Sequence, residues 1–184
     1  MKTIFLAFTL FLCLTAFAKD KTVSTKLKHR EHGAHAHGAG TLGIAFEGLK
    51  GQLDFKIPSV SIIGFEYTPK TEKDKKIKLQ QLAKLENNIS EMVQFTPNLH
   101  CVITKDKVEV IKDEKESQEA HAEHSDITAI FNINCAQSPA GTELTFNFQK
   151  HFPDINDLDV QIIVGDIQKS IEAKKNGTRI LIEK

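Results

Sequence analysis

The sequence predicts an α+β protein, a mainly antiparallel, sandwich-like β domain with one long amphipathic helix. Three observations carry this. Apolar residues alternate with polar or small ones over at least five stretches. A single stretch of about 20 residues after Pro69 changes to helical spacing. Glycine, proline and Asn-Gly pairs stand between these runs.

The first alternating run is "TLGIAFE", with Leu42, Ile44 and Phe46 on one face. Leu53, Phe55 and Ile57 repeat the pattern after Gly51, so the two runs form a β-hairpin with a glycine-containing turn. "SVSIIGFEY" (59–67), bracketed by Pro58 and Pro69, is apolar and suits a packed connector or short strand. In the stretch 72–95, Ile77, Leu82, Leu85, Ile89 and Met92 form one apolar helix face, with Leu79 and Val93 beside it. Thr71 is a suitable N-cap. Lys73, Lys75, Lys76 and Lys78 solvate the opposite side. Strands resume at 99–104 and 107–111, joined by Lys105-Asp106, and again at 126–135, 142–150 and 158–164. Residues 112–125 are charged and polar, which fits a surface loop. Asn176-Gly177 between two short runs marks a type I′ hairpin. The count is seven or eight strands and one helix, with the sheet faces packing on each other and on the helix.

The chain has 184 residues, enough for one domain with a real core. Its 24 basic residues balance 24 acidic ones, which argues against a nucleic-acid binder. Residues 1–18 read as a signal peptide: Met1-Lys2 is positive, Ile4 to Leu14 is apolar, and Ala16-Phe17-Ala18 has the small-x-small cleavage pattern. That apolar run is too short to span a bilayer core of about 30 Å. Residues 19–31 read as a flexible lead-in and 32–184 as a single β-rich domain. The mature chain then starts at Lys19 and is exported.

Export gives the cysteines their meaning. Cys13 leaves with the leader, and Cys101 and Cys135 remain to form one disulfide in an oxidising compartment. A two-thiolate metal site is the competing reading, and no C-x-x-C spacing supports it.

The chemistry is concentrated in "HREHGAHAHG". His29, His32, His35 and His37 are half of the chain's eight histidines. Neutral imidazole is the commonest protein ligand for Zn²⁺. His35 and His37, two apart, project to one side of an extended chain. His32 is three before His35, with Gly33 between them to let the chain bend. Three imidazoles can thus converge on one ion, whereas His29 lies in the lead-in. The bland alternative is a solvated polar segment. Zn²⁺ fits the donors, and Cu²⁺ binds nitrogen sites more tightly on affinity alone. A second group, "EAHAEHSD", supplies His121 and His124. It is either an ordinary charged loop, the completion of the first site or a weaker second site. His124, two residues before a strand, is the better placed of the two. His100, beside Cys101 on a strand, and His151 read as structural. No H-E-x-x-H, G-x-S-x-G, P-loop or G-x-G-x-x-G occurs.

In this order, "EHGAHAHG", a β-hairpin, "GFEY" (64–67), a long helix, two cysteines and "HSDITAIFNINC" (124–135) make the chain resemble the ZrgA-like zinc-binding proteins of the Gram-negative periplasm. The resemblance covers the whole mature chain. It implies periplasmic zinc binding that supports uptake by an ABC-type importer, with His32, His35, His37 and His124 as ligands. Two departures imply fewer bound ions: Tyr67 stands where many relatives have histidine after "GFE", and "EAHAEHSDI" replaces a longer His/Asp-rich loop. Two other classes stand beside this reading. One is a zinc hydrolase with Glu31, Glu66 or Glu123 as base. The other is an envelope scaffold or partner-binding domain with incidental histidines.

Overall fold

A computed structural model of the chain describes residues 38–112 and 124–183. The leader, the lead-in, four of the predicted ligands (His29, His32, His35 and His37) and most of the charged loop with His121 lie outside those residues.

The alternating runs form the predicted hairpin. Strand β1 (Ala39–Glu47) pairs antiparallel with β2 (Lys50–Pro58), and Leu42 faces Phe55 while Ile44 faces Leu53. Gly48 makes the turn in left-handed backbone, at φ 62°. The segment 59–67 is a packed connector rather than a strand. Its Val60–Ile63 form a short helix, α1, closed by Gly64 at φ 85°. The long helix α2 spans Glu72–Met92, and the side chain of its N-cap Thr71 accepts the Asp74 N–H. It buries Leu85, Ile89 and Met92, while Leu79 turns outward at 69% exposure. The helix stops where β-branched Val93 becomes extended and starts β3 (Val93–Phe95).

The two strands expected at 99–104 and 107–111 are one. Strand β4 (Val102–Lys112) runs through Lys105-Asp106, absorbing the extra residue as an irregularity between Lys105 and Lys107. It pairs antiparallel with β5 (Ser125–Asn134). Strand β6 (Glu143–Phe146) ends earlier than expected, because Phe148–Lys150 turn as a 3₁₀ helix. Strand β7 (Asp157–Val164) returns through Gly165-Asp166 into β8 (Ile167–Ala173), and β9 (Thr178–Leu181) ends the fold.

Asn176-Gly177 therefore does not close a two-stranded hairpin. It carries the chain from one sheet to the other, with β8 in a six-stranded sheet of order β4-β5-β2-β1-β7-β8 and β9 in a three-stranded sheet of order β3-β6-β9. The turn is held by tertiary bonds: Gly177 N–H donates to the Phe146 carbonyl, and Asn176 Oδ1 accepts the Lys150 N–H at 3.0 Å. Pairing is antiparallel except between β1 and β7. The inward faces of both sheets and of α2 share one core, in which the Phe55 and Phe148 rings stack at 5.4 Å.

Cys101 and Cys135 are disulfide-bonded. Since Val102 faces Asn134, the bridge is the next rung beyond the end of the β4–β5 pair. The charged loop leaves from the other end, where Lys112 faces Ser125, so the bridge lies away from the loop.

Candidate metal centre

One end of the six-stranded sheet collects the relevant residues. There β1, β5 and β7 begin and β2 ends, as the pairings Ala39–Asp157 and Pro58–Asp126 show. Gly38 is the residue directly after His37. Its N–H donates to Ser61 Oγ at 3.1 Å, and its carbonyl accepts the N–H groups of Asn156 and Asp157. The exit of the histidine stretch is thus fastened to α1 on one side and to the start of β7 on the other.

The same short segment holds His124. Ser59 and Ser125 are both buried, and the Ser59 N–H donates to the Ser125 carbonyl. Ser125 Oγ lies 2.9 Å from Ser59 Oγ and 2.8 Å from the Glu66 carbonyl oxygen. A hydroxyl has one proton, so Ser125 donates to the carbonyl and accepts from Ser59. This fixes the backbone of "GFE" against the start of β5. From there the Glu66 carboxylate reaches His124, with Oε2 2.5 Å from Nδ1. The Glu66 side chain is 11% exposed and that of His124 26%. The other carboxylate oxygen, Oε1, is buried and has no hydrogen-bond partner among the described residues. A buried acceptor left in that state costs free energy that a cation or a water would recover. Phe65 and Tyr67 stack at 4.7 Å on either side of Glu66 in sequence, and Tyr67 is half exposed.

The other predicted residues fall elsewhere. Cys101 and Cys135 sit at the opposite end of the β4–β5 pair. His100 is exposed and lies not on a strand but after a 3₁₀ turn (Pro97–Leu99), in left-handed backbone at φ 47°. His151 Nε2 lies 3.2 Å from Glu91 Oε2, and Lys84 Nζ donates to the His151 carbonyl, which ties α2 to the segment after β6. Lys150 Nζ reaches Glu91 at 2.6 Å, and its hydrogen bond and charge, with a smaller contribution from His151, hold that carboxyl below its ordinary range. Among the described residues no group of three or more His, Cys, Asp or Glu side chains is arranged to hold a metal. His29, His32, His35, His37 and His121, like Glu31 and Glu123, lie outside those residues.

Sequence reading missed the three buried serines and the partnership of Glu66 with His124. Serine recurring in an otherwise aliphatic run, "SVSIIG", was the available clue, because a buried hydroxyl needs a partner.

A family model described as ZrgA family zinc uptake protein matches residues 34–182, a span that takes in His35, His37, Glu66 and His124. The chain belongs to the ZrgA family of zinc uptake proteins. No curated protein matches it. Membership gives the chain a role in zinc uptake. Among the described residues no helix is long and apolar enough to cross a membrane.

Proposed function

We propose that this ZrgA-family chain is an exported, non-enzymatic zinc-binding accessory protein of the periplasm. It captures Zn²⁺ with the histidine stretch and His124, and supports delivery of the ion to an ABC-type importer. The leader at 1–18 would direct export, leaving a mature chain from Lys19. The observation that carries the reading is the short segment Ser59–Glu66. Through Ser61 it holds Gly38, one residue from His37, and through Glu66 it holds His124. Gly38, where the histidine stretch ends, and His124 are thereby held at one end of the sheet. Transfer by ligand exchange suits imidazole donors, which are neutral, monodentate and exchange one at a time. Glu66, one of the base candidates for a zinc hydrolase, has Oε2 engaged on an imidazole, an arrangement that suits holding an ion better than activating a water.

The test is calorimetry of the mature chain without an affinity tag at about pH 7.5, above the ordinary histidine pKa of ~6.5. About one tightly bound Zn²⁺ is expected, as for a single four-coordinate site. His35→Ala together with His37→Ala should abolish it. No binding by the wild type, or unchanged binding by the double variant, would overturn the reading.

A further inference from the structure

The contact between His124 and Glu66 specifies more than proximity. A tetrahedral Zn²⁺ bound to both atoms through bonds of ~2.0–2.1 Å would hold them roughly 3.3 Å apart. Nδ1 and Oε2 are 2.5 Å apart, so the pair is closed as a hydrogen bond with no room for an ion between them. A carboxylate only accepts, and a neutral imidazole has one N–H. In a neutral imidazole this pairing puts the proton on Nδ1 and leaves the lone pair to Nε2.

Both partners are also fixed in place. Ser125 is the chain neighbour of His124, and its Oγ donates to the Glu66 carbonyl. The two residues whose side chains meet are thus joined a second time through one buried serine, itself backed by Ser59. This leaves the imidazole ring little freedom to turn.

We propose that Glu66 is a positioning residue for zinc. It fixes the tautomer and the ring direction of His124, so that Nε2 is the nitrogen that binds Zn²⁺. The inference rests on the proposed zinc site and adds which atom His124 contributes and what holds it. A carboxylate on the far nitrogen also makes the imidazole a stronger donor, and loss of such a partner lowers metal affinity by about 10–100-fold.

The experiment uses the tag-free mature chain with ¹⁵N-labelled histidine at about pH 8, above the ordinary histidine range. Long-range ¹H–¹⁵N spectra are recorded without metal and with zinc sulfate, and His124 is assigned from the His124→Gln variant. In the metal-free protein, Nδ1 should appear protonated and Nε2 unprotonated. Zinc should move the Nε2 resonance and leave the Nδ1 proton in place. Glu66→Ala should lose the fixed tautomer and bind zinc about 10–100-fold more weakly. Glu66→Gln, which keeps an acceptor oxygen, should retain the tautomer with a smaller loss, and it decides the matter if the alanine variant fails to fold. Zinc bound through Nδ1, or a Glu66→Ala protein that folds and binds like the wild type, would overturn the proposal. Zinc held by His35 and His37 with the His124 resonances unmoved would overturn it while leaving the zinc-binding role standing. A wild type that binds no zinc would overturn both.

Discussion

The Gly38 N–H meets the buried Oγ of Ser61 at 3.1 Å, and this bond fixes the backbone immediately after the histidine stretch. Gly38 has φ 85°, and a Cβ there would lie 2.6 Å from the Asp154 carbonyl oxygen and 2.5 Å from Asn156 Nδ2. A side chain must therefore bear the left-handed penalty and also displace backbone. Gly38→Ala should cost about 2–3 kcal/mol, or roughly 4–12 °C in Tm for a domain of this size. It should weaken zinc binding as well, because the exit of the stretch moves. Unchanged thermal unfolding would contradict the anchoring role.

The disulfide and the proposed zinc site stand at opposite ends of the β4–β5 pair. Ten residues of β5 separate them, about 30 Å at ~3.3 Å per residue. Cys101 and Cys135 are 34 residues apart in sequence. Closing such a loop is worth about 4 kcal/mol in the chain-entropy model. Reduction, or Cys101→Ala with Cys135→Ala, should lower the denaturation midpoint accordingly and leave the zinc dissociation constant of the folded protein within about twofold, since sites this far apart couple weakly. A parallel loss of zinc affinity would show that the two ends are coupled.

Glu91 makes a separate contribution to pH dependence. Lys150, by hydrogen bond and charge, depresses its folded-state pKa below the ordinary 4.5. A depressed carboxyl adds stability that is fully present above the unfolded value and is lost as pH falls through the folded value. Glu91→Gln should therefore flatten the acid limb of the stability curve below about pH 5 and leave its slope near neutrality unchanged. Urea unfolding across that range reads the effect, and an unaltered acid limb would count against the ion pair.

Local signals were the legible part of the fold. The helix was visible because Leu85, Ile89 and Met92 repeat with helical spacing behind a capping Thr71. The first hairpin was visible because Leu42, Ile44 and Phe46 alternate. A period of two says which face of a strand is buried but not which strand lies beside it. The parallel β1–β7 pairing and the separation of β8 and β9 into different sheets therefore had no sequence trace, and Asn176-Gly177 suggested the wrong partner. The site divides in the same way. The candidate donors were proposed from a local signal, histidines clustered at short spacing. The contact between Glu66 and His124 spans 58 positions and is set by β2 pairing with β5, which brings Pro58 opposite Asp126. Ser59 and Ser125 follow from that same register, so nothing local could have announced them.

Whether the two histidine groups hold one ion is a question of additivity. If His35 and His124 share a Zn²⁺, removing either leaves an incomplete sphere, and removing the second then costs less than it did alone. His35→Ala, His124→Ala and the double variant, titrated with zinc by competition against a chelator of known affinity, form a closed cycle. A coupling energy of about 0.5–3 kcal/mol is expected, the range found for residues in direct contact or sharing a partner. Additivity within about 0.5 kcal/mol, the behaviour of independent sites, would mean that the stretch and His124 bind separate ions. His124 would then need other donors, and the tether through Ser59–Glu66 would serve proximity rather than coordination.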